Sequence, residues 1–173
     1  MAKKKKVMMF VPGAIACVLG IAAFCMMFLD AVTYTGKLLG STASVKGMLV
    51  AFGGKAEDGL FSLVTSVKDF EFKFNIMTTL GFGLPLIGGV LALIFKNGLI
   101  TKIVTTACFV VGAVFLFSTV GFMSISLDEN VKTVIDGVYT AKLAAGPIVG
   151  GVLAIIGAAV CFFKGTIAKA LSR

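Results

Sequence analysis

The side chains that carry most protein chemistry are scarce in this chain. Its 173 residues hold no His, four Cys, and eight acids against sixteen Lys and Arg. Without His there can be no Ser-His-Asp set, and no phosphate loop of the Walker type is present. Cys17, Cys25, Cys108 and Cys161 all fall inside long apolar runs. A metal site without His would need all four thiolates to converge, and these stand at different depths of different runs. They read as small buried apolar residues, with Cys161, close to the end of its run, as the one alternative candidate for acylation. None lies in a loop, so no disulfide framework is available there. Glu57-Asp58 is a lone acidic pair before Gly59 and offers too few oxygens for calcium. The expectation is a protein that is no enzyme and has no cofactor and no metal.

An ionisable group inside an apolar run would point to transport or a proton relay. None occurs here; Asp30, at the edge of the first run, is the nearest. A solute pathway would have to be lined by hydroxyls such as Thr78, Thr79, Thr105, Thr106, Ser118 and Thr119. The ordinary role of such hydroxyls is to bond a backbone carbonyl one turn back.

The runs themselves define the architecture. Val7–Leu29, Ile76–Phe95, Ile103–Met123 and Ala144–Phe163 contain 23, 20, 21 and 20 residues and no charge. Each is long enough to cross about 30 Å of hydrocarbon at about 1.5 Å per residue. Lipid offers the backbone no hydrogen-bond partner, so a continuous apolar span must be helical. With 58% apolar and 14% charged residues, the chain has too little polar surface to wrap such runs in a soluble core. The expected fold is an all-α membrane protein, a four-helix transmembrane bundle of one domain over 1–173. Its outer loops would be 30–75 and 124–143, and its inner loop 96–102. Lys3 to Lys6 before an apolar run, with Ala14-Ile15-Ala16-Cys17 inside it, also resembles a secretory signal. The run continues twelve residues past Cys17, which favours an uncleaved helix.

Charge assigns the sides. The two tails and the short loop carry Lys3, Lys4, Lys5, Lys6, Lys96, Lys102, Lys164, Lys169 and Arg173 and no acid. The two longer connections carry seven Lys and all eight acids, counting Asp30. The excess of Lys and Arg marks the cytoplasmic side, so both termini are expected in the cytoplasm of a multi-pass cell-membrane protein. The same nine cations would grip anionic headgroups of the membrane lipids. The short inner segments cannot form a nucleic-acid face. A Lys-rich, Arg-poor, Trp-free composition reads as bacterial.

The outer loops carry strand and helix patterns. Val32-Thr33-Tyr34-Thr35 and Phe70-Glu71-Phe72-Lys73-Phe74-Asn75 alternate with period two. They are expected to pair as a small antiparallel sheet, to which Ile125 and Leu127 could add a third strand. Val45, Met48, Leu49 and Phe52 fall on one face of a short amphipathic helix over Ser41–Phe52, ended by Gly53-Gly54. This helix would lie on the outer leaflet or cover the small sheet. Leu60–Val67 and Val131–Lys142 read as further short helices. Together these form a small extracellular cap whose apolar residues pack inside it or meet a partner.

Two patterns concern helix packing. Pro85-Leu86-Ile87-Gly88-Gly89-Val90-Leu91-Ala92-Leu93-Ile94 matches Pro147-Ile148-Val149-Gly150-Gly151-Val152-Leu153-Ala154-Ile155-Ile156 at seven of ten positions. This could be a duplication with parallel copies or convergence on one packing solution, with each Pro in a first turn. Small residues also recur at helical spacing: Gly13, Ala16, Gly20 and Ala23 in the first span, and Gly146, Gly150, Ala154 and Ala158 in the fourth. Such stripes let backbones approach closely, either within the bundle or between copies of the chain.

In layout the chain resembles claudin-type tetraspans: a short inner N-terminus, a large first outer loop with strand-like ends, a tiny inner loop and a smaller second outer loop. The resemblance covers the whole chain but is one of topology only. The Trp and two Cys that mark that family's first outer loop have no counterpart in residues 30–75, so no family residue carries over. It implies a sheet-capped, left-handed bundle. The functional expectation is a non-enzymatic protein that acts through contacts: an accessory subunit, scaffold or self-assembling tetraspan. Its partner would be another copy or another membrane protein at the outer cap. The alternative is a small transporter or channel component working as an oligomer.

Overall fold

The computed structural model describes residues 10–37, 40–55, 71–95, 98–127 and 129–171. Four of its helices are long and apolar enough to cross a membrane. They are α1 (Val11–Cys25, extended by a 3₁₀ turn over Met26–Phe28), α3 (Ile76–Ile94), α4 (Leu99–Phe117) and α7 (Ala145–Phe162). They form a ring in which α1 packs on α3, α3 on α4, α4 on α7, and α7 back on α1. The remaining elements are β1 (Asp30–Gly36), β2 (Thr42–Lys46), α2 (Gly47–Phe52), β3 (Gly54–Lys55), β4 (Glu71–Phe72), α5 (Thr119–Ser126), α6 (Glu129–Val138), β5 (Tyr139–Leu143) and α8 (Lys164–Leu171). All but α8 gather at one end of the bundle as a cap.

The helix boundaries have local causes. Asn75 caps α3 by accepting from the N–H groups of Met77 and Thr78. Pro12 and Pro147 sit in the first turns of α1 and α7, where no N–H is needed. The charge-free run beginning at Ile103 starts late: α4 reaches back to Leu99, because Lys102 in its first turns can extend along the helix toward water. At Ser118 the backbone turns to φ −91°, ψ 5°, which ends α4 and starts α5.

The cap differs from the sequence expectation in its pairing. β1 is a strand as expected, but its partners are β2 on one side and β5 on the other, both antiparallel, in the order β2-β1-β5. The 41–52 segment is therefore not one helix. Thr42-Ala43-Ser44-Val45-Lys46 also alternates, and pairing with β1 buries Ala43 and Val45 while Thr42, Ser44 and Lys46 face out. Only Gly47–Phe52 is helical, and Gly53, at φ +75°, ends it with a bond from its N–H to the Leu49 carbonyl. The 131–142 segment is helical only to Val138, and its last residues form β5. Among the described residues of the 70–75 segment, Glu71 and Phe72 alone form a strand, paired with Lys55 and Gly54. The third strand expected near Ile125 and Leu127 is absent among the described residues, because α5 runs to Ser126. The helix expected over Leu60–Val67 lies outside the described residues. Inside the cap, Val32, Tyr34, Val45, Val50, Phe72, Ile135 and Tyr139 pack with Met123 and Leu127 into a separate hydrophobic core.

The bundle is closed by glycine. A Cβ on Gly13 would stand 2.6 Å from the Ala92 carbonyl oxygen, and one on Gly89 would stand 2.9 Å from that of Ala16. One on Gly20 would collide with the Pro85 carbonyl. The contact thus runs antiparallel along α1 and α3, backbone against backbone. Gly83, two residues before Pro85 on α3, has nothing within 4 Å. Gly20→Ala is expected to destabilise the folded protein by about 1–3 kcal/mol through overpacking. Gly83→Ala is expected to be neutral or slightly stabilising, by up to about 1 kcal/mol. Unfolding of the two variants in detergent or bicelles measures the difference.

Candidate functional site

No group of three or more Cys, Asp or Glu able to hold a metal occurs among the described residues. The four cysteines are spread over α1, α4 and α7; Cys161 is buried and Cys25 exposed. Three of the six hydroxyls singled out in the sequence are spent on the backbone. Thr105 Oγ1 donates to the Thr101 carbonyl at 2.8 Å, Thr119 Oγ1 to that of Leu116 at 2.7 Å, and Thr79 Oγ1 to those of Ala51 and Asn75 at 2.9 Å each. The buried hydroxyls of Thr78 and Thr106 have no partner.

The small residues singled out by spacing lie between helices of one chain. Gly13 and Gly20 face α3, and Gly89 faces α1. Gly88 faces Cys108 and Phe109 of α4. Gly146 fits against the carbonyls of Met26 and Asp30, where a Cβ would stand 2.8 and 2.9 Å away. Gly150 lies between Leu116 of α4 and Ala23 of α1, Gly151 against the ring of Phe117, and Ala154 is fully buried. In both Gly-Gly pairs, one glycine looks to α4 and the other to α1. The order is exchanged: Gly88 and Gly151 face α4, whereas Gly89 and, in part, Gly150 face α1. The prolines of the two matching segments differ from expectation. Pro147 opens α7, but Pro85 lies in the middle of α3. Its ring is accommodated by Gly112, where a Cβ would come within 2.6 Å of Pro85 Cδ.

Of the expected headgroup cations, Lys3, Lys4, Lys5, Lys6, Lys96 and Arg173 lie outside the described residues. Lys102 is half-buried and Lys169 exposed. Lys164 is buried, and its Nζ donates to the carbonyls of Ala92 at 2.6 Å and Phe95 at 3.3 Å. It therefore closes the C-terminal end of α3, where the helix dipole favours a cation, instead of facing lipid. Burial lowers its pKa from the ordinary 10.5, an effect partly offset by nearby Cys161.

Asn75 is the side chain that joins cap to bundle. It is buried, and its Oδ1 accepts from the N–H groups of Met77 at 3.1 Å and Thr78 at 3.2 Å. Its Nδ2 donates to the Phe122 carbonyl at 2.8 Å and to Ser126 Oγ at 2.7 Å. Its own N–H donates to the Ala51 carbonyl at 3.1 Å. One residue thus ties α3, α5 and α2 together with its amide fully used. On the far side of the cap, Lys37 Nζ donates to the Asp136 carbonyl at 2.6 Å, pinning the β1 end to α6. Burial, and secondarily the Asp136 carboxylate, raises the phenol pKa of Tyr34.

The outward face of the sheet is polar and regular. The register sets Ser44, Thr33 and Lys142 side by side in one row and Thr42, Thr35 and Thr140 in the next. Thr33 Oγ1 and Ser44 Oγ are 3.2 Å apart. A second surface feature is a groove of about 270 Å³ between β2 and α2. A third is a shallow apolar groove along the end of α7 and α8, lined by residues such as Val160, Phe163 and Ile167. Neither groove enters the bundle between the helices. Compared with protein-family models, with curated proteins and with solved structures, the chain matches none.

Sequence reasoning missed two of these residues. Asn75 ahead of an apolar run is an N-cap signal, and it was overshadowed by the alternation of the residues before it. Lys164 follows an uncharged run and carries no sequence mark of burial.

Two outcomes test the site. Asn75→Ala removes a helix cap and leaves buried groups on α5 without a donor, so it should cost about 2–4 kcal/mol, measured by unfolding. The lowered pKa of Lys164 means that the folded state binds fewer protons there than the unfolded state. Wild type should therefore gain stability relative to Lys164→Met as pH rises toward 10.5; unfolding of both proteins across that range is the measurement.

Proposed function

We propose that this chain is a non-enzymatic multi-pass membrane protein that works by contact, as an accessory subunit, scaffold or self-assembling tetraspan of the cell membrane. Four membrane-length helices support the membrane setting. The observation that carries the contact reading is a cap with its own hydrophobic core, fixed to the bundle through Asn75. A folded, firmly mounted head on a bundle closed by glycine contacts and filled by Phe82, Phe109 and Leu116 suits presentation of a surface better than passage of a solute. The hydroxyl and lysine rows of Thr33, Thr35, Ser44, Thr140 and Lys142 are the surface proposed to meet the partner. That partner is a second copy or another membrane protein.

The tails, which carry Lys and Arg and no acid, favour an arrangement in which both termini are cytoplasmic and the cap lies outside. The small sheet at one end supports the resemblance in layout to claudin-type tetraspans, and the resemblance remains one of layout.

A photoreactive side chain placed at Thr35 or Thr140 in intact cells is expected to give a discrete cross-linked species, whereas one at Val152 on the outer face of α7 should give only lipid adducts. A monomer free of adducts at both cap positions, together with solute flux through proteoliposomes of the purified protein, would overturn the contact reading. Protease added outside intact cells should leave the chain beyond Lys164 uncut.

A further inference from the structure

The groove beside β2 raises a question of depth. It is lined by Ser44, Lys46, Met48, Leu49, Phe52 and Lys55, among others, and Met48 and Phe52 are about half exposed. In water, a Met and a Phe left open on a six-residue helix would be an apolar patch needing a cover. The position of α2 indicates that this surface does not face water. A Cβ on Gly47 would stand 2.8 Å from the Met27 carbonyl and 3.2 Å from the ring of Phe82, and the Gly47 N–H donates to the Leu29 carbonyl at 2.9 Å. Met27 lies in the last turn of the first membrane-length segment, and Phe82 lies two turns inside α3. At the other end of α2, the Ala51 carbonyl accepts from Asn75 N–H and Thr79 Oγ1, at the first turn of α3. The short helix therefore lies alongside the bundle, level with the ends of two spans. Phe28, Phe74, Ile76 and Met77 continue the exposed apolar surface at that level.

We infer that α2 lies in the cap-side leaflet and that the groove seats a zwitterionic phospholipid, with an acyl chain along Met48, Leu49 and Phe52 and the headgroup at the Lys46–Lys55 rim. The inference rests on the membrane-spanning reading of the four helices. The rim chemistry fits a headgroup that carries both signs. Lys46 stands opposite Asp30 in the β1–β2 ladder, and Lys55 stands opposite Glu71 in the β3–β4 ladder. A phosphate can approach the ammonium groups and Ser44 Oγ, while the cationic end of the headgroup can approach the carboxylates. Long lysine stems bridge apolar and polar layers at this depth. An interfacial helix with its apolar face at the headgroup–acyl boundary is a stable placement in a bilayer.

The chain contains no Trp, so a single introduced Trp reports its own surroundings. Phe52→Trp, Met48→Trp and Val152→Trp are each reconstituted in vesicles of phosphatidylcholine brominated on its acyl chains. Fluorescence at position 52 or 48 is expected to be quenched to within about twofold of that at 152, which faces lipid on α7. In vesicles of equal parts phosphatidylcholine and phosphatidylglycerol, brominating only the phosphatidylcholine should quench position 52 at least about twofold more than brominating only the phosphatidylglycerol. Quenching at 152 but at neither 48 nor 52 would overturn the lipid seat and leave the spans standing. Quenching at none of the three would overturn the membrane-spanning reading itself. Equal or stronger quenching at 52 by the phosphatidylglycerol would overturn the zwitterionic headgroup.

Discussion

The structure depends on the backbone-to-backbone approach of α1 and α3. Between helices in lipid there is little hydrophobic gain to drive association, because lipid tails are as apolar as the side chains they would replace. What remains is dispersion, and it requires atoms to approach closely. Gly13, Gly20 and Gly89 provide this by setting one main chain against the carbonyls of the other. Gly146 does the same between α7 and the exit of α1. With these two contacts made, α1 is held on two sides, and α4 completes the ring with larger side chains. Phe109 and Leu116 fill the space opposite the glycines of α3 and α7.

The cap is built on the same logic with different materials. Its strands bury Val32, Tyr34, Val45 and Tyr139 as any half-buried sheet does. Two of them continue directly from, or into, helices of the bundle: β1 follows α1, and β5 leads into α7. Those two helices pack together at Gly146, which places β1 and β5 side by side for their ladder. Asn75 provides the third fixing point, because the side chain that caps α3 also donates to α5 and the same residue's backbone N–H donates to α2. The head and the membrane-length part are thus one packed unit.

Much of this was legible in the sequence, and the rest was hidden for identifiable reasons. The four long helices follow from charge-free length alone, and observed and expected ends agree closely for α3 and α7. The small-residue stripes were visible as spacing, but which helix each glycine would meet is a property of the ring order, which spacing does not encode. Strand β2 was masked because Val45, Met48, Leu49 and Phe52 satisfy a helical period while Ala43 and Val45 also satisfy a strand period; pairing with β1 decided between them. β5 was hidden likewise at the end of a helical pattern, since its partner lies a hundred residues earlier in the chain. Buried Lys164 and the joint at Asn75 are tertiary facts. Each side chain is ordinary until a carbonyl from a distant turn comes within reach.

The continuity of β1 with α1 has a mechanical consequence. Only Leu29 separates the 3₁₀ turn at the end of α1 from the first residue of β1, so there is no slack to absorb tension. A tug applied to the sheet would load its ladder bonds and pass directly along the covalent chain into α1 through Leu29 and into α7 through Ala144. Head and stem would then yield together.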